Sequence, residues 1–146
     1  MTKDGVVASI RRATTIDSLD HLTDAAYSRT LGARGGQALL AQLWGSDLDR
    51  DAVRAAVAVE VAAGRVWVAQ RGDEIIAGAL VGAGCVRAIW VQPAYRRHKV
   101  ASTLLSALAT SDTPPQDAWA LPGDRATKSL YESVGWKARL LTMRGA

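Results

Sequence analysis

VQPAYRRHKVASTLL, Val91 to Leu105, runs from a strand end through a proline turn and a knot of cations into an amphipathic helix. The residues leading into it, Val86 to Val91 (VRAIWV), have the β-branched and aromatic character of a buried strand. Pro93 ends that strand, because it has no N–H for a ladder and restricts the residue before it. From there Val100, Ala101, Leu104, Leu105 and Leu108 recur at helical spacing. Arg96, Arg97, His98 and Lys99 stand directly ahead of them. A helix start leaves N–H groups unpaired and carries partial positive charge. Three fixed cations added there make a natural seat for a phosphate or diphosphate.

Working outward, Val6 to Arg12 reads as a first strand, and Thr14 or Thr15 is placed to cap a helix with Asp17 and Asp20 at its positive end. Ile16, Leu19, Leu22 and Ala26 form that helix's apolar stripe, and Leu31 to Gly36 (LGARGG) breaks it. A short second helix carries Leu39, Leu40, Leu43 and Trp44. A third starts near Asp49 or Asp51, turns Val53, Ala56, Val57 and Val61 inward, and stops at Gly64. Val66 to Gln70 and Glu74 to Val81 flank a Gly72-Asp73 turn and make a hairpin, and Gly82 to Gly84 leads into the Val86 strand. After the Val100 helix come a loop (Ser111 to Gln116), a strand (Asp117 to Leu121), a helix (Arg125 to Val134) and a last strand (Trp136 to Arg144). This alternation makes a mixed α/β fold in one domain, residues 1–146, with no linker or internal repeat.

The chain is 146 residues long, 49% hydrophobic and 22% charged, the proportions of a folded globular domain. No apolar run approaches the roughly 20 residues of a membrane span. The first residues, MTKDGVVASIRR, lack the apolar core of a secretion signal. Cys85 is the only cysteine, and His21 and His98 are the only histidines, so neither a disulfide nor a cysteine- or histidine-rich metal site is expected. A reduced, cytoplasmic protein follows. The net charge of +4 has one tight basic cluster, Arg96 to Lys99, without the long basic tract or interleaved aromatics of a nucleic-acid platform. Cys85 and the five tryptophans read as core, and His21 as a surface or structural residue.

This order of elements and two local motifs resemble the GNAT superfamily of acyl-CoA-dependent N-acetyltransferases, from about Ile10 to Met143. In that family a V-x-P-x-x-R strand end leads into R/Q-x-x-G-x-G/A. Here the strand end is Val91-Gln92-Pro93 and the loop is Arg96-Arg97-His98-Lys99-Val100-Ala101, followed by Ser102. A second motif, N-x-x-A-x-x-L-Y-x-x-x-G-F, matches Asp124, Thr127, Leu130, Tyr131, Gly135 and Trp136. The resemblance implies a mixed, mostly antiparallel twisted sheet with one splayed parallel strand pair and helices on both faces. It implies acetyl-CoA as co-substrate and no metal. The cofactor would be held by Ile89, Trp90 and Val91 through their backbone, by Arg96 to Ser102 at the helix start, with His98 serving through its amide, and by Asp124. Tyr131 would be the general acid toward the departing thiolate. The first helices and their connection, with Trp44, would border the site of a primary amine acceptor.

The sequence departs from the family at three places. Lys99 replaces the loop glycine, and either points a further cation at a CoA phosphate or crowds the site. Asp124 stands for asparagine and Thr127 for alanine, and Asp124 is also suited to capping a helix. The Val86 strand carries Arg87 and no carboxylate, so Glu74, a water chain or a backbone carbonyl is left to take the amine's proton. A non-catalytic module that binds CoA or a partner protein, its fold completed by a partner chain, is the alternative; a homodimer is a further expected partnership.

Overall fold

The computed structural model describes residues 7–15, 17, 19–33, 36, 38, 39, 49–82, 84–121 and 124–137. Among the described residues, five strands form one sheet in sequence order: β1 (Ser9–Arg12), β2 (Val66–Arg71), β3 (Glu74–Gly82), β4 (Cys85–Val91) and β5 (Asp117–Ala118). Every pair is antiparallel except β4–β5, which is parallel. Among the described residues the continuous helices are α1 (Asp20–Gly32), α2 (Arg50–Ala62), α3 (Val100–Ala109) and α4 (Arg125–Ser133), and Gly36, Ala38 and Leu39 are also helical. The fold is mixed α/β, a mostly antiparallel sheet with one parallel pair, flanked by helices.

Two apolar layers lie on opposite faces of the sheet, as the period-2 alternation of its strands requires. Val53, Val57 and Val61 form the buried stripe of α2 and pack on Val66, Val68 and Leu80. Burying a valine of this kind contributes about 1.5–3 kcal/mol. Alternate positions, Ala69, Ala77, Ala79, Val81, Val86 and Ile89, face the other way against Val100, Leu104, Leu105 and Leu108 of α3 and Tyr131 of α4. Gly78 lets α1 lie close on the sheet, because a Cβ there would overlap the Leu22 side chain. Gly72, at φ +58°, supplies the positive φ of the two-residue β2–β3 turn.

The hairpin, the β4 strand, α2 and α3 fall where the sequence places them. The first strand is shorter than expected, β1 beginning at Ser9. Neither Thr14 nor Thr15 caps α1. That helix begins at Asp20 with Leu19 at the N-cap and no side-chain cap, because Asp17 is occupied elsewhere. Both its oxygens take the Arg11 guanidinium, at 2.8 and 2.9 Å, and Oδ2 also accepts the Thr14 N–H at 2.7 Å. This pairing holds the Asp17 carboxyl well below the usual carboxylate range. α1 continues through Leu31 and Gly32, into the stretch expected to break it. Val6, Ile16, Leu40, Leu43, Trp44 and residues 138–144 of the expected last strand lie outside the described residues, and its first two residues, Trp136 and Lys137, are not in a strand.

Candidate active site

The cation-rich segment between β4 and α3 has an unusual backbone. Gln92 N–H returns to Ile76 C=O on β3 at 2.8 Å, and a 3-10 turn over Pro93–Tyr95 follows. Arg96 N–H closes that turn on Pro93 C=O, and the next chain N–H with a main-chain partner is Thr103, which donates to Lys99 C=O at 3.0 Å. Among the described residues, the N–H groups from Arg97 through Ser102 make no hydrogen bond of ordinary length and angle, although residues 96–99 form a turn. Arg97 and Lys99 are both left-handed, at φ 64° and 62°. Non-glycine residues adopt that region at a cost of about 1–2 kcal/mol each. Lys99 thus stands where positive φ is required, the reason a glycine suits this position. Its backbone follows the loop while its side chain, like those of Arg96 and Arg97, is exposed. Successive N–H groups in a left-handed turn form an anion-binding concavity, and a helix start behind them adds its dipole. The donor set fits a diphosphate.

One strand away, β4 and β5 come apart. Their ladder consists of Cys85↔Asp117 and Val86↔Ala118, with a last bond from Trp119 N–H to Val86 C=O at 2.9 Å. A regular parallel ladder would next join Ala88 N–H to Trp119 C=O. The β3–β4 register shifts between Leu80 and Val81, however, and pairs Ala88 with Leu80 instead. Since Gln92 N–H points to β3, alternation turns the backbone groups of Val91 and Ile89 toward the β5 side, beyond its last rung. This is why β5 ends at Ala118 and not at Leu121. Trp119, past the end of the ladder, is 41% exposed, and Arg87 lies over its ring, so it is not the core residue expected.

Tyr131 closes the apex of this splay. Its hydroxyl donates to Trp119 C=O at 3.0 Å, the acceptor the ladder leaves over, and its ring stacks on Trp136 with centroids 5.7 Å apart. The side chain is buried. That burial raises the phenol's pKa above its ordinary value, with Cys85 and Asp124 adding to the shift and Arg29 opposing it. The group is therefore a proton carrier at neutral pH. Asp124 caps α4, accepting Thr127 N–H at 3.1 Å and Thr127 Oγ1–H at 2.7 Å, and lies 3.3 Å from Arg29 Nη2.

The remaining candidates are dispersed. Glu74 lies at the loop end of the sheet, three positions before the Ala77↔Val91 pair, where it accepts the Tyr95 hydroxyl at 2.8 Å. His98 is half-buried in the loop. His21 stands edge-on to Trp90, centroids 5.2 Å apart, on the α1 face. Cys85 is buried, and burial raises its thiol pKa, the opposite of what a nucleophile needs. Arg29 was not singled out by the sequence reading. It continues the Leu22–Ala26 stripe of α1 at helical spacing, and a cation on an apolar stripe was the available signal.

A sequence profile of the acetyltransferase (GNAT) domain matches residues 62–138, which include the hairpin, the splay, the cation loop and α4. The chain belongs to the GNAT acetyltransferase family. No curated protein matches it at the sequence level. Solved GNAT structures share its fold at low identity. One from Clostridium difficile 630, a possible acetyltransferase, is 18% identical over 97% of each chain, with a TM-score of 0.62. An N-acetyltransferase from Staphylococcus aureus Mu50 is 15% identical, covering 90% of this chain and 92% of that one, with a TM-score of 0.66. The PaiA N-acetyltransferase of Thermoplasma acidophilum, solved in complex with coenzyme A, is 14% identical over 92% of each chain, with a TM-score of 0.64. Among the described residues of this GNAT chain, no group of three or more side chains is arranged to hold a metal ion, and no helix is long and apolar enough to cross a membrane.

Proposed function

We propose that this single GNAT domain transfers an acetyl group from acetyl-CoA to a primary amine by direct attack in a ternary complex. The observation that carries the reading is the run of N–H groups from Arg97 through Ser102 without a well-formed hydrogen bond, which includes two left-handed cations and follows β4 and its 3-10 turn. Acetyl-CoA combines a diphosphate, an arm bearing amide groups and a thioester, and each finds a counterpart in order along the chain. The loop amides, with Arg96, Arg97 and Lys99, neutralise the diphosphate. The backbone groups of Ile89 and Val91, facing the splay, take the amide arm as an added strand would, whereas those of Trp90, expected to join them, are turned to Gly78 on β3. The arm then ends at the apex, where Tyr131 is buried.

In the transfer step the amine nitrogen forms a bond to the thioester carbonyl carbon, and the carbon–sulfur bond breaks with its electron pair on sulfur. Tyr131 supplies the proton that makes this sulfur a thiol. Its hydroxyl must leave Trp119 C=O to do so, which makes that bond a clamp on the resting orientation. The acceptor's surplus proton passes to water, since Glu74 stands at the far end of β3. Cys85 is buried and its thiol pKa is raised, by burial first and by the neighbouring Asp117 charge second, so it forms no acyl intermediate.

Calorimetry with acetyl-CoA and CoA, followed by mass spectrometry of an amine panel incubated with acetyl-CoA, tests the reading. Binding with acetylation of at least one amine class is expected. Tyr131→Phe should lower turnover by about 10- to 100-fold with little loss of CoA affinity. Failure to bind at millimolar ligand would overturn the proposal. Tight binding with no product from any amine would favour a non-catalytic module, a reading that draws on the commitment of the Tyr131 hydroxyl to Trp119.

A further inference from the structure

One side chain from the opposite face of the sheet crosses the splay. Arg29 rises from the last turn of α1, and its Nη1 donates to Ile89 C=O at 3.3 Å. Its Nη2 lies 3.3 Å from Asp124 Oδ2. Asp124 is fixed in place as the cap of α4, so the guanidinium bridges the β4 backbone to the start of α4. Ile89 C=O is one of the strand groups turned toward the β5 side past the last rung, and thus an acceptor that an amide N–H lying along β4 would use. A planar guanidinium within hydrogen-bond distance of that oxygen fills the same space. The Arg29 side chain is 37% exposed, so water can replace its contacts and the bridge can be broken.

We propose that Arg29 is a crossbar over the β4–α4 cleft that competes with the amide arm of the acyl donor for Ile89 C=O and so sets the donor's affinity. This rests on the acyltransferase reading above, and adds to it a positioning residue on α1. The donor's arrival displaces the guanidinium from β4 and breaks the Asp124 contact that holds the crossbar in place. The nucleotide end of the donor, seated at Arg96 to Ser102, never meets the crossbar. Competition therefore has a sign that a purely structural residue cannot produce: deleting the guanidinium tightens binding, and only of ligands that carry the arm.

The test is calorimetry of the full chain and its Arg29→Met variant, which keeps an unbranched helix-forming stem, with two probes: CoA, and its 3′-phosphorylated ADP half. Arg29→Met should bind CoA about fivefold more tightly, the worth of losing a long, half-exposed charged hydrogen bond. Its affinity for the ADP half should be unchanged. Asp124→Asn keeps a capping side chain and removes the anchoring charge, so it should shift CoA binding in the same direction by a smaller factor, whether or not Arg29→Met folds. Weaker or unchanged CoA binding in a variant with a normal melting temperature would overturn the crossbar alone. Equal tightening toward both probes would overturn it too, because the effect would not run through the arm. If the unaltered chain takes up neither probe, the acyl-donor reading falls and the crossbar with it.

Discussion

Helices α2 and α3 begin in opposite ways. α2 starts on Asp49, whose backbone is extended and whose carboxylate accepts Ala52 N–H at 2.8 Å, an ordinary side-chain cap. α3 starts on Lys99, left-handed and without a side-chain cap, two residues after the left-handed Arg97, and its first amides lack a capping acceptor. A cap of the first kind contributes about 1 kcal/mol to stability, whereas the second start forgoes it and adds backbone strain. Strain of this sort persists where the surrounding structure imposes it, and it collects at binding sites. The difference separates a start built to hold the fold from one built to hold an anion.

The largest effect should come from making the second start anionic. Lys99→Asp tolerates the left-handed backbone but places a carboxylate in the seat, and should weaken CoA binding about 100-fold or more with little change in melting temperature. Unaltered affinity would remove the loop from the binding site. Asp49→Ala makes the converse change. It should cost about 1 kcal/mol, a fall of about 3 °C in the melting temperature, and leave CoA affinity untouched by calorimetry. Lys99→Gly should split the two roles of one residue. Relief of the positive φ should raise stability by about 1 kcal/mol, while loss of the cation should weaken CoA binding about threefold.

The smallest effect concerns a carboxylate diverted from helix capping altogether. Asp17, bonded to Arg11, has its pKa lowered from 3.8 in the folded chain. The pair's contribution is therefore complete above that pH and declines as the pH falls below it. In urea melts between pH 7 and pH 3, the unaltered chain should lose about 0.5 kcal/mol more than Asp17→Asn, a small figure because Arg11 is half-exposed and screened.

Much of this was legible in the sequence where the signal is local. The apolar period of α2, the Gly72 turn and the cations ahead of Val100 report their own conformations, and the hairpin and two helices follow from them. The α1 start was not, because Asp17 chooses between a helix dipole and Arg11, and the strand pairing that brings Arg11 near is not a local property. The length of β5 was hidden for a similar reason. It depends on a register shift one strand away, which also leaves Trp119 exposed and gives its carbonyl to Tyr131. Arg29 was missed because its partners, Ile89 and Asp124, are far from it in sequence and meet it only across the sheet.

The most direct test is an amide-resolved NMR titration of the isotopically labelled chain with acetyl-CoA. If the start of α3 is the diphosphate seat, the largest shifts will fall on the N–H signals of Arg97 through Ser102, with Ile89 and Val91 following and the Asp49 cap of α2 unmoved. Saturable binding that leaves Arg97 through Ser102 unshifted, or the absence of any binding, would contradict it.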